Sequence, residues 1–128
     1  MDAGGYLIDT HILYWWMTAA PTLGETTTRT LRQADIAVSA TSLWEMLLKN
    51  RKGKLPLPDR PLGQEVIAQG FRVLPITPDH LDALRGLDVP HEDPFDRLLL
   101  ATAMAERRIF LTRDGPLLNF GLPFVERA

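Results

Sequence analysis

Short apolar runs alternate with longer amphipathic stretches along this chain, and that alternation predicts strands separated by helices. The run Tyr6 to Ile8, bounded by Gly4-Gly5 and Asp9, reads as a first strand. Thr10 to Met17 is very apolar and reads as a first helix, and Thr22 to about Ala34 as a second. Ile36 to Ser39, with two β-branched residues, reads as strand two. Ser42-Leu43-Trp44-Glu45 has capping-box spacing, so a helix is expected from there to about Arg51. Three prolines between Gly53 and Pro61 mark a loop. A helix from about Leu62 to Gln69 follows, with Gly70 as its C-cap, and then strand three from Arg72 to Ile76. Thr77-Pro78 opens a helix that ends near Leu87, with proline at the tolerated first position. After a loop from Asp88 to Asp93, Pro94 to Arg107 forms the longest amphipathic helix, with Phe95, Leu98, Leu99 and Thr102 on one face. Ile109 to Thr112 reads as strand four, Leu117 to Phe120 as one helical turn, and Pro123 to Val125 as a short strand five.

Strands separated by helices pair in parallel through right-handed crossovers, which predicts one three-layer α/β/α domain over residues 1–128. In such sheets ligands bind outside the carboxyl ends of the strands. Asp9 ends strand one, Glu45 falls in the first turn of the helix after strand two, and Asp114 follows strand four. Asp96 lies in the first turn of the helix leading into strand four, and that helix has to start at the carboxyl edge. Topology alone therefore brings Asp9, Glu45, Asp96 and Asp114 to one edge. Crowded carboxylates repel, and a hard divalent cation offsets that repulsion, so the pattern points to metal-assisted chemistry on a phosphate.

Each acid also has a structural reading. Acids in a first helical turn are favoured by the macrodipole. Glu45 could serve only as the capping partner of Ser42, Asp96 only as a dipole-favoured acid, and Asp114 only as the start of an Asp-Gly turn. Asp9 is harder to explain that way, because it interrupts an apolar stretch from Tyr6 to Met17. The joint placement of the four, more than any one of them, favours the functional reading.

Composition narrows the field. With 128 residues and 45% hydrophobic content the chain can bury a core. A net charge of −2 argues weakly against a strongly basic nucleic-acid binder, although a local basic patch would be hidden in the sum. The absence of cysteine removes disulfides, thiolate zinc sites and a cysteine nucleophile. Residues 1–5 do not resemble a signal peptide, and no apolar run approaches a membrane span of about 20 residues, so a soluble cytoplasmic protein is expected.

The segments Leu7-Ile8-Asp9-Thr10-His11, Ser42-Leu43-Trp44-Glu45-Met46, Gly53-Lys54-Leu55, His91-Glu92-Asp93-Pro94-Phe95-Asp96-Arg97 and Leu111-Thr112-Arg113-Asp114 resemble, in order and spacing, the PIN-domain ribonucleases, in particular the VapC-like toxins of type II toxin–antitoxin pairs. The resemblance covers nearly the whole chain. It implies a parallel sheet ordered 3-2-1-4-5 and metal-binding roles for Asp9, Glu45, Asp96 and Asp114, with Asp93 in the extended motif. It further implies hydrolysis of an RNA phosphodiester with Mg²⁺ or Mn²⁺, a homodimer, and an antitoxin that inserts a helix or tail, often with a basic side chain, near the acids. Thr10 and Thr112 could bond the carboxylates or the phosphate, or merely end strands. Arg97 could balance the acids or pair with one.

Other groups carry weaker readings. His11 would point to another side of its helix than Asp9, His80 has no assigned role, and His91 could touch substrate. Lys49, Arg51, Lys52 and Lys54 could grip phosphates or simply form a solvated helix end. Adjacent Trp15 and Trp16 cannot both face one core, which together with the apolar Ile12 to Met17 stretch suggests an interface. A housekeeping RNA-processing nuclease and a non-catalytic RNA-binding scaffold on the same fold remain as alternatives. A receiver-like phosphotransfer domain lacks its second acid and closing lysine. A haloacid-dehalogenase-like domain requires an Asp where His11 stands.

Overall fold

A computed structural model describes residues 4–128. Residues 1–3, part of the stretch read as unlike a signal peptide, lie outside the described residues. Five strands, β1 (Tyr6–Ile8), β2 (Ile36–Ser39), β3 (Arg72–Leu74), β4 (Ile109–Thr112) and β5 (Val125–Arg127), form one sheet in the order β3-β2-β1-β4-β5. Every pairing is parallel, with Leu7 opposite both Ala37 and Phe110 at the centre. The helices are α1 (Thr10–Met17), α2 (Gly24–Gln33), α3 (Ala40–Arg51), α4 (Leu62–Ala68), α5 (Pro78–Ala83), α6 (Pro94–Glu106) and α7 (Gly115–Asn119). Among the described residues no helix is long and apolar enough to cross a membrane.

The alternation of side chains along each strand divides the core in two. Ile8, Val38 and Leu111 face a cluster with Ile12 and Leu13 of α1, Leu31 of α2, Met46 of α3 and Val66 of α4. Leu7, Ala37 and Phe110 face the opposite cluster with Leu99, Leu100 and Ala103 of α6 and Leu117 of α7. The three-layer architecture expected from the pattern is thus present, with the strand order 3-2-1-4-5.

Several local expectations change. The helix after β2 starts at Ala40, not Ser42. Ser39 is both the last residue of the strand and the N-cap, and its hydroxyl accepts from Thr41 N at 3.0 Å. Ser42 and Glu45 are therefore interior residues of α3 with no capping role, and Glu45 lies beyond the first turn. Strand three is shorter than expected and stops at Leu74. Strand five runs Val125–Arg127 instead of 123–125, because Pro123 has no N–H to give a ladder. The tryptophan segment is also largely enclosed: Trp16 packs on Phe71 and donates to Gln69, while Trp15 lies under the Arg113 guanidinium.

The backbone enters β1 through Gly5 at φ +95°, where a Cβ would collide with the Asp35 carbonyl. Because Ser39 alone caps α3 and is fully buried, Ser39→Ala is expected to cost about 1 kcal/mol, seen as a lowered urea midpoint at unchanged slope.

Candidate metal and nuclease site

The carboxyl ends of β1, β2 and β4 meet at one place, and short polar side chains stitch them together. Asp9 follows β1 and caps α1. One of its oxygens accepts from Thr10 N at 2.7 Å and the other from the Thr112 hydroxyl at 2.6 Å. Thr112, the last residue of β4, also accepts from Asp114 N at 3.0 Å. On the other side the Thr10 hydroxyl donates to Glu45 Oε1 at 2.7 Å, with Ser42 Oγ 2.9 Å away. Capping-box spacing and this arrangement share one cause: residues three apart lie on the same helix face. Here that face turns to the sheet edge.

Both threonines thus bond the carboxylates. Asp9, Thr10, Ser42, Glu45 and Thr112 are all buried. Among the described residues Thr41 Oγ1 is the buried side-chain polar atom that lacks a partner, so the network itself is satisfied.

Asp96 joins from α6. Asp93 caps that helix, accepting from Phe95 N at 2.8 Å and Asp96 N at 3.1 Å. Asp96 Oδ2 lies 2.8 Å from His91 Nε2. Burial pushes the Asp96 carboxyl up to about 6, and the negative charges of Asp9, Asp93 and Glu45 push in the same direction against the His91 bond. Burial also raises Asp9, against the bonds from Thr112 and Thr10. The negative charge of Glu45 therefore acts on both Asp9 and Asp96, and that of Asp9 on Asp96. Asp114 reaches the same edge, but its Oδ1 caps α7 by accepting from Leu117 N at 3.2 Å.

Cationic groups are present but only partly offset this charge. Lys49 Nζ lies 3.0 Å from Glu45 Oε2, one turn along α3. Arg51, Lys52 and Lys54 are exposed beyond it. Among the described residues Arg97 pairs with no acid. It donates to the carbonyls of Val89, His91 and Leu87 and so gathers the loop before α6. His91, considered above for substrate contact, points to Asp96. His80 accepts from Thr77 N in a capping box and pairs with Glu106, which makes it a structural histidine.

In the rotamers present, no three Asp, Glu or His groups among the described residues converge as a ready ligand set. The donor chemistry nevertheless fits a hard cation: Asp9 and Asp96 carboxyls raised by burial and by neighbouring acids, Glu45 beside them, hydroxyls behind, no sulfur, and one histidine committed to a carboxylate. A groove of about 670 Å³, lined by Trp16, Pro21, Arg29, Arg32 and Gln69 among others, contains none of the four acids.

Comparisons with known proteins bear on the family and the fold. A model of the PIN domain matches residues 6–120. Over 114 residues the chain is 31% identical to ribonuclease VapC22 of Mycobacterium tuberculosis, covering 84% of this chain and 85% of that protein. The crystal structure of VapBC2 from Rickettsia felis bound to a DNA fragment from its promoter superposes with a TM-score of 0.64 at 16% identity, over 96% of this chain and 98% of that one. A toxin–antitoxin complex from Klebsiella pneumoniae gives 0.63 at 21% identity, over 94% and 95%.

Proposed function

This chain belongs to the PIN-domain family, and we propose that it is an endoribonuclease, the toxin of a type II toxin–antitoxin pair, working with Mg²⁺ or Mn²⁺. The observation that carries the reading is the buried acidic edge, where Asp9 and Asp96 are both raised and Glu45 is tied to Thr10. Asp9, Glu45 and Asp96 would hold the cation, with Asp114 released from its cap as a fourth ligand. The bound cation supplies charge neutralisation at the scissile phosphate and makes its water more acidic. The protein's own part is orientation. Thr112 and Thr10 N fix both oxygens of Asp9, and the Thr10 hydroxyl fixes Glu45, so little reorganisation is needed as charge develops. Asp93 fixes the start of α6 and hence Asp96. Lys49, paired with Glu45, flanks the edge and suits an incoming phosphate backbone.

On this reading one domain, acting in the cytoplasm, carries the whole activity. Its partners are an RNA substrate, a cognate antitoxin and a second copy of the chain. The apolar Ile12 to Met17 stretch no longer supports that dimer, since Ile12 and Leu13 are fully buried in the core. Trp44, Leu47, Ile67 and Leu81 are the large apolar side chains left most exposed among the described residues. The purified chain is expected to cut a structured RNA in Mg²⁺ or Mn²⁺ and to stop when EDTA is added. Cleavage that survives EDTA, or no cleavage of any RNA by chain that binds the ion, would overturn the assignment.

A further inference from the structure

We propose that His91 is a positioning residue for Asp96: its Nε2–H holds one carboxylate oxygen so that the other stays available to a divalent cation shared with Asp9 and Glu45. The inference rests on the cation-dependent reading above and assigns a role that the four acids alone do not contain.

Three observations carry it. The His91 Nε2 to Asp96 Oδ2 distance is 2.8 Å, and both side chains are largely enclosed, at 17% and 15% exposure. The ring is fixed from the side by Phe120, whose ring meets it edge-on with centroids 5.6 Å apart. The backbone that delivers His91 is also fixed: His91 N donates to Val89 O at 2.9 Å, and Arg97 Nη1 donates to Val89 O at 2.9 Å and His91 O at 3.2 Å. Arg97 follows Asp96 on α6, so the residue beside the acid pins the loop that aims the histidine at it.

The chemistry allows this role, argues against a second and sets a third apart by the sign of its effect. An ionised carboxylate only accepts, so Nε2 carries the proton and donates, and its lone pair is not available to a metal. His91 is therefore not itself a ligand through that nitrogen. A free carboxylate on a helix rotates about χ2, which is a broad torsion, and a cation has to pay for freezing it. A prior bond to Oδ2 removes that freedom, as outer-shell partners of ligating groups do. If His91 acted only by neutralising charge, it would compete with the cation, and its removal would tighten binding.

The test is Mn²⁺ binding by calorimetry on the full chain at pH 7.5, where catalysis is not read. His91→Ala is expected to weaken binding about tenfold, the lower end of what loss of such partners costs. His91→Gln, whose amide can donate from a similar position, is expected to stay within about threefold of wild type. Arg97→Met should weaken binding by a factor like that of His91→Ala, and the double variant should add little, since both act through one bond. Wild-type or tighter binding in His91→Ala, or His91→Gln as weak as His91→Ala while folded, overturns the proposal. Asp96→Asn keeps its failure separate from that of the parent reading. Unchanged Mn²⁺ affinity in Asp96→Asn removes the cation site and this role with it. Weakened affinity there beside an unchanged His91→Ala removes only the role of His91.

Discussion

Asp9→Asn is expected to lower divalent-ion-dependent RNA cleavage by about a thousandfold or more while leaving the fold intact. Losing one buried anionic ligand removes several kcal/mol of transition-state stabilisation, and each 1.36 kcal/mol is about tenfold in rate. The geometry explains why the fold should survive. An asparagine carbonyl can still accept from Thr10 N, and its amide can donate to the Thr112 hydroxyl, which already accepts from Asp114 N and has a second lone pair. Burial raises the Asp9 carboxyl, so a neutral side chain there relieves a cost in the metal-free state. Metal-free stability should therefore hold or rise even as activity vanishes. Asp96→Asn should behave alike. Asp114→Asn is expected to do less, because part of the role of Asp114 is to cap α7, and asparagine caps well. Cleavage assays beside thermal melts in EDTA check this. Full activity in both Asp9→Asn and Asp96→Asn would end the metal assignment, and global unfolding of both would make these acids structural.

Much of this site could be read from the chain because topology is a strong constraint. Once short apolar runs alternate with amphipathic ones, parallel pairing follows, and residues just after β1 and β4 share an edge with the first turn of α6. Ambiguity entered where one spacing serves two purposes. Ser42 and Glu45 are three apart, which fits a capping box and equally fits one face of a helix already under way. Ser39, a strand residue and a cap at once, gave no separate signal. Arg97 stands next to Asp96 in sequence, which suggests an ion pair, yet neighbours on a helix point about 100° apart and Arg97 turns to the preceding loop. His91 reads from the sequence as a loop residue that could touch substrate, with no sign of its bond to Asp96. What could have pointed to that bond is the capped start of α6: Asp93 at the N-cap with Pro94 after it reverses the chain, and that folds the residue five before Asp96 over the first turn. The Ile12 to Met17 stretch looked like unburied surface because its apolar residues run around the helix. The sheet covers one side, and Phe71, Gln69 and the Pro56 carbonyl take up the tryptophan and tyrosine on the others.

Without a divalent ion, the wild-type protein is expected to lose stability relative to Asp96→Asn as pH rises from about 4 to above 6. The sign follows from proton uptake. The Asp96 carboxyl stands at about 6 when folded against 3.8 as a model group, so between those values the folded chain binds more protons than the unfolded one. Stability contributed by the protonated form is complete below the lower value and is lost as pH climbs through the upper one. With Asp96 only 15% exposed, the full difference is about 3 kcal/mol at most. Asp9 is raised as well and adds in the same direction. Asp35, held low by the Arg108 guanidinium beside it, acts in the opposite direction, so the informative quantity is the difference between wild type and Asp96→Asn. Mn²⁺ should reverse the loss. At about a hundred times its dissociation constant a ligand that binds only the folded chain restores about 2.7 kcal/mol, and it should do so at pH 7 but much less at pH 4.5, where the Asp96 carboxyl holds its proton. Thermal or urea unfolding of both proteins at pH 4.5, 5.5 and 7, in EDTA and in Mn²⁺, measures each part. A wild-type minus variant difference that stays flat across that range would mean Asp96 titrates normally and the acidic edge is not under the strain that a cation would relieve.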